Sequence, residues 1–195
     1  VSSPNEQTVA DPAPLGLAAF ALTTFLLSAA NAGLTKGGSG EWIGYAFFYG
    51  GLAQLLAGMW EFKRQNVFGA TAFSTYGAFW LGLGYYVTHV AAGKGEMVSN
   101  DLGWILLAFA IFNTYMLLWS TQVNAAVFAV FLTLEVTEIV LFIGQFANNA
   151  NIIKIGGYIG ILTAACAWYT SAAIVGNGVG WSLLPTGGKV LKVGS

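Results

Sequence analysis

Six apolar runs of about 20 residues, with almost all the charge confined to the segments between them, constrain this chain more than any other feature. The runs cover residues 14–34, 42–60, 68–90, 102–120, 123–147 and 152–175. In a bilayer core every backbone polar group must be satisfied within the protein, and a helix needs about 20 residues to cross it. The expected fold is therefore an all-α integral membrane protein with six transmembrane helices. Composition agrees: charged residues make up 8% of the chain, against about 25% in a soluble domain. Such a chain cannot dress a water-facing surface, and the lipid bilayer becomes its solvent.

The polar segments set the topology. Thr35 to Glu41, Glu61 to Asn66 and Gly93 to Asp101 read as short loops, and Ser120-Thr121-Gln122 and Asn148-Asn149 as tighter turns. Short connections predict antiparallel neighbours, hence three helical hairpins in a single domain spanning 1–195, with residues 1–11 and 176–195 as tails. Glu6 and Asp11, rather than basic residues, precede the first run, so it is expected to stay as a span and not to act as a signal peptide. Asp11 before Pro12 suits an N-cap. With both termini in the cytoplasm, that side holds Lys63, Arg64, Lys189 and Lys192, and the other Lys36, Lys94 and Lys154. This bias predicts cytoplasmic termini.

Several function classes are excluded or left without machinery. A net charge of −1 gives no basic patch for nucleic acid. Cys166 has no second cysteine to pair with, and His89 is the sole histidine, read as structural. No metal site, cofactor motif, Walker loop or nucleophile elbow is visible, so no enzyme is expected.

Ionisable residues inside a span mark pathways or relays. Glu135 and Glu138 lie three residues apart in the fifth run, about 60° apart on a helix. At least one is expected to hold a proton near neutral pH, because two carboxylates in a low dielectric do not both ionise cheaply. They are candidates for proton coupling; hydrogen bonding to a neighbouring helix is the alternative, and both readings stand at this point. Leu134, Glu138, Leu141 and Gln145 share one helical stripe, with Glu135 to its side. Phe20, Thr24, Leu27 and Asn31 share another, and Phe47, Gly50, Gln54, Gly58 and Glu61 a third. These stripes suit a narrow pore or a helix–helix seam. Small residues at four-residue spacing, as in Gly156, Gly160 and Ala164, predict close helix contacts.

Asp11-Pro12-Ala13-Pro14-Leu15-Gly16-Leu17 closely resembles the N-P-A-P-L-G-L signature of the acetate uptake transporter family, which includes the succinate–acetate permeases. The resemblance continues through Phe48-Tyr49-Gly50-Gly51, Gln54, Ala57-Gly58, Glu61, Thr71 to Trp80, and Ile143-Gly144 to Gly160. It implies a six-helix protomer in a homohexamer in a cell membrane, plasma or bacterial inner. It also implies passage of acetate and similar small monocarboxylates, succinate in some members, linked to protons. By local motif the family's apolar constriction falls on Phe20, Tyr76 and Leu134, and its polar positions on Thr24, Gln54 and Glu61. Asn31, on the same stripe as Thr24, is a further binding candidate. Two departures stand out: Asp11 replaces the signature's Asn and adds negative charge at the mouth, and the Glu135/Glu138 pair occupies positions that are mostly apolar or hydroxylic in the family. A passive channel for a neutral solute such as urea is the alternative function. A membrane sensor or scaffold is the third, disfavoured by the lack of any sizeable soluble domain.

Overall fold

The structure, a computed structural model, describes residues 9–36, 40–91, 93–94 and 97–191. Glu6, residues 37–39, 95 and 96, and Lys192 lie outside the described residues. The described chain is all-helical and forms six rods. These are α1 (Ala13–Asn31); α2, built from Glu41–Phe47, a π-helical stretch Phe48–Ala53 and Gln54–Lys63; α3, which is Val67–Tyr85 continued by π-helical Tyr86–Val90; α4 (Met97–Ser120); α5 (Ala125–Phe146); and α6 (Ala150–Gly178). Each coincides with one of the apolar runs.

Four of the rods, α1, α4, α5 and α6, are individually long and apolar enough to cross a membrane. The other two fall short for identifiable reasons. The π-helical stretch divides α2 into pieces too short to count alone, and Thr, Ser, Tyr and Gly dilute the hydropathy of α3.

Asparagines start three of the helices. Asn66, Asn124 and Asn149 accept the N–H groups of Gly69, of Val127, and of Asn151 and Ile152, donors that a helix cannot satisfy within itself. At α1 the expected cap shifts by one residue. Pro12 is the N-cap, at φ −82° and ψ −12°, because its ring already holds φ near the helical value. Asp11 still contributes, accepting from Ala13 N at 3.0 Å.

α1 packs chiefly on α6, α6 on α5, α5 on α4, and α2 on α3. Small residues allow the close approaches. A methyl group added at Gly77 of α3 would stand 2.7 Å from Leu55 N and 2.9 Å from Gly51 O, both on α2. One at Gly157 of α6 would stand 2.7 Å from Ser28 O on α1. The expected hairpin between α3 and α4 is the weak one. Their backbones scarcely touch, because Tyr76 and Phe79 on α3 meet Phe109 and Phe112 on α4 ring to ring, with Phe79 and Phe109 centroids 4.6 Å apart. Rings hold the two axes apart while filling the space between them.

Beyond α6 the chain turns back as a strap. Tyr169 donates to Pro185 O at 2.7 Å, Ala126 N to Thr186 O at 2.9 Å, and Val190 N to Thr121 O at 2.9 Å. The strap thereby satisfies an N–H at the start of α5 that the helix leaves unpaired.

Candidate functional site

The helices enclose a cavity of about 430 Å³ at the end of the bundle where α1 begins and α6 finishes. Asp11, Arg64, Asn177 and Thr186 stand at its mouth, which places the start of α1 and the chain beyond α6 on the same side. Deeper in, Gln54 and Glu61 line it from α2, and Phe20, Tyr76 and Leu134 from α1, α3 and α5. Five of the residues singled out in the sequence are thus brought together.

Phe20, Tyr76 and Leu134 are buried members of one apolar cluster. Phe20 meets Tyr76 edge-on, ring centroids 5.7 Å apart and planes 64° apart. That geometry sets the positive rim of one ring against the negative face of the other. Phe79, Phe109 and Phe112 surround Tyr76 on its other sides, so its ring has little freedom to swing.

The two α2 residues carry the polar character of the wall. Glu61 is fully buried; its Oε2 accepts from Asn66 Nδ2 at 2.9 Å, and Oε1 finds no partner among the described residues. Gly69 makes room for it, since a methyl there would stand 2.8 Å from the Glu61 carboxyl. Gln54 is also buried, with Oε1 unpartnered among the described residues. Both oxygens are buried acceptors left without a donor, on residues that line the cavity.

Behind Tyr76 runs a polar chain. The Tyr76 hydroxyl lies 3.0 Å from Asn113 Oδ1 and 3.3 Å from Glu138 Oε1. Asn113 Nδ2 donates to Glu135 Oε2 at 2.7 Å, and the Thr114 hydroxyl lies 2.8 Å from Glu135 Oε1. Glu138 is buried beside Leu134 and Leu141, while Glu135 is half-exposed, as helical spacing at 100° per residue anticipates. Neither carboxylate lines the cavity. Glu138 reaches it only through Tyr76, and Glu135 is tied to α4.

Two other candidates sit apart. Thr24 is buried with its hydroxyl unpartnered among the described residues, but does not line the cavity, and Asn31 lies in the last turn of α1. His89 is exposed, stacked on Tyr85 at 4.6 Å and 2.6 Å from the Thr88 hydroxyl through Nδ1. Among the described residues no group of three His, Cys, Asp or Glu could hold a metal ion.

Sequence reasoning missed Asn113 and the Asp11–Arg64 ion pair at the mouth, Nη1 to Oδ1 2.6 Å. Asn113 had a signal, being an amide in the middle of the fourth apolar run. The ion pair had none, because its partners belong to different loops.

A family model described as the GPR1/FUN34/yaaH family matches residues 1–180. Acetate permease A of Emericella nidulans is 42% identical over 183 residues, covering 84% of this chain and 61% of that protein. The succinate-acetate/proton symporter SatP of Escherichia coli K12 is 36% identical over 181 residues, covering 92% of this chain and 96% of that protein. The solved structure of the bacterial acetate channel SatP superposes with a TM-score of 0.85 at 36% identity, over 92% of this chain and 100% of that one. The chain spans about three fifths of the length of the fungal relatives it matches. With its match running through all six rods, the chain belongs to the GPR1/FUN34/yaaH family.

Proposed function

We propose that this chain moves acetate and similar small monocarboxylates, with succinate as a further cargo, across a cell membrane together with protons. The observation that carries the reading is the cavity lined by Phe20, Tyr76 and Leu134 together with the buried polar side chains of Gln54 and Glu61. A carboxylate loses water where aromatic and aliphatic side chains close around it, and an ion pays heavily for that. Among the described lining residues Arg64 is the one with a cationic side chain, and Asp11 already holds it. The cargo therefore crosses as the neutral acid or in company with a proton. Relatives named as an acetate permease and a succinate-acetate/proton symporter support this cargo.

Phe20, Tyr76 and Leu134 are the constriction in this reading. Thr24, Gln54, Glu61 and Asn31 are polar contacts along the path, and Glu138, with Glu135, is the proton-coupling group. All six rods span the bilayer, α2 across its π-helical stretch, and the protomers assemble as a homohexamer. Arg64, with Lys63 beside it in sequence, lies at the end of the bundle where α1 begins and α6 finishes, which favours a cytoplasmic position for that side.

The test is uptake of labelled acetate into proteoliposomes with and without an inward proton gradient. Accelerated uptake in the gradient is expected. Uptake no faster than in empty vesicles removes the reading; flux of urea that ignores pH and acetate replaces it with the neutral-solute channel.

A further inference from the structure

Asn113 ties the polar chain behind the constriction together. It is fully buried in α4. Its amide NH₂ has two hydrogens and two acceptors in reach, Phe131 O at 3.0 Å and Glu135 Oε2 at 2.7 Å. Reversing the amide would set an oxygen against both acceptors, so hydrogen counting fixes its orientation and turns Oδ1 toward Tyr76.

The same counting reaches Glu138. Tyr76 has one hydroxyl hydrogen and two acceptors, Asn113 Oδ1 at 3.0 Å and Glu138 Oε1 at 3.3 Å. Given to Asn113, that hydrogen leaves the Tyr76 oxygen free to accept, and Glu138 faces it. The two carboxyls then differ. Glu135 has donors from Asn113 and Thr114, whereas Glu138 meets Tyr76 alone and its buried Oε2 has no partner among the described residues. The titratable groups facing Glu138 are Tyr76 from α3 and Glu135 on its own helix, with Tyr115 of α4 beyond Tyr76. From α6 the nearby polar group is the neutral Thr163, bonded to Thr137.

We propose that Asn113 is a positioning residue of the conduit, accepting the Tyr76 hydroxyl and securing Glu135, so that Glu138 is the carboxyl that holds and releases the proton at the constriction. When Glu138 carries the hydrogen, it donates to the Tyr76 oxygen and Tyr76 donates to Asn113. When the proton leaves, Tyr76 takes the Glu138 hydrogen as it releases its own to water or a cargo carboxylate in the cavity it lines; its hydroxyl then faces the Glu138 carboxylate and Asn113 Oδ1 loses its donor. The consequence for transport rests on the proposed function; the hydrogen-bond switch does not.

Infrared difference spectra of the purified full chain, recorded across a pH titration, test the switch without any transport. A carboxylic-acid carbonyl band is expected that is lost in Glu138→Gln, retained in Glu135→Gln, and shifted in both Asn113→Leu and Tyr76→Phe, but unmoved by Ile111→Leu at an exposed position of the same helix. Should Asn113→Leu fail to fold, the smaller Asn113→Ala removes the same acceptor and reads the same shift, while Tyr76→Phe, which removes the contacts to Asn113 and Glu138 together, tests the direct partner of Glu138. A band that survives Glu138→Gln, or one indifferent to Tyr76→Phe or to substitution of Asn113, overturns the proposal. Wild-type protein that shows this band and its shifts but takes up no acetate leaves the switch standing and removes the transport reading instead.

Discussion

Arg64 and Asp11 close an ion pair of 2.6 Å across the mouth of the cavity, joining the end of α2 to the entry of α1. From the sequence, an aspartate in place of the signature asparagine is expected to add negative charge at the mouth. The pair changes that expectation, because the aspartate occupies the cation an arriving carboxylate needs. Both partners are about a third or more exposed, so the pair contributes at most about 1 kcal/mol. Asp11→Asn keeps an acceptor for Ala13 N while freeing Arg64. The expected result is a KM for acetate lowered roughly two- to fivefold at low ionic strength, with the gain erased by added salt. An unchanged KM at low salt would show that Arg64 takes no part in capture.

Leu134→Ala removes three side-chain carbons from the cavity lining that it shares with Phe20 and Tyr76. The residue is buried in the main apolar cluster, so a stability loss of about 2–5 kcal/mol accompanies the change. Propionate and lactate uptake should rise relative to acetate in proteoliposomes normalised for folded protein. Unaltered ratios would place the constriction elsewhere on α5.

The geometry separates the two carboxylates of α5. Glu138→Gln removes the group bonded to Tyr76, and Glu135→Gln leaves an amide oxygen able to accept from Asn113 in place of the carboxylate. Initial rates of acetate uptake measured from acid to alkaline pH should flatten in the first variant and keep the parental slope in the second. Equal and negligible effects would take both residues out of the mechanism.

The rods were legible because each had a long apolar run between polar breaks, and the inward faces because helical spacing put Leu134, Glu138 and Leu141 on one line. Gln54 and Glu61 emerged on a wall of the cavity for the same reason. What escaped depends on contacts between distant segments. The bond from Tyr76 to Asn113 joins α3 to α4, and Thr186 reaches Ala126 only because the chain doubles back after α6. Periodicity within one helix carries no information about either. The π-helical stretch of α2 was equally hidden, since Gly50 and Gly51 within it read as ordinary small-residue packing.

The two halves of α3 offer a contrast that tests this packing directly. Gly77 faces α2 so closely that an added methyl would stand 2.7 Å from Leu55 N, a backbone atom that cannot step aside without moving its helix. Gly82, just over one turn further along the same helix, has nothing within 4 Å of the corresponding position. Gly77→Ala should therefore destabilise the fold by about 1–3 kcal/mol through overpacking. Gly82→Ala should be neutral or stabilise by up to about 1 kcal/mol, since alanine is the better helix former. Thermal unfolding of the two purified variants in the same detergent compares them. A Gly77→Ala midpoint at or above that of Gly82→Ala would mean that the α2–α3 contact is looser than the shared backbone surface implies, and with it the wall that carries Gln54 and Glu61.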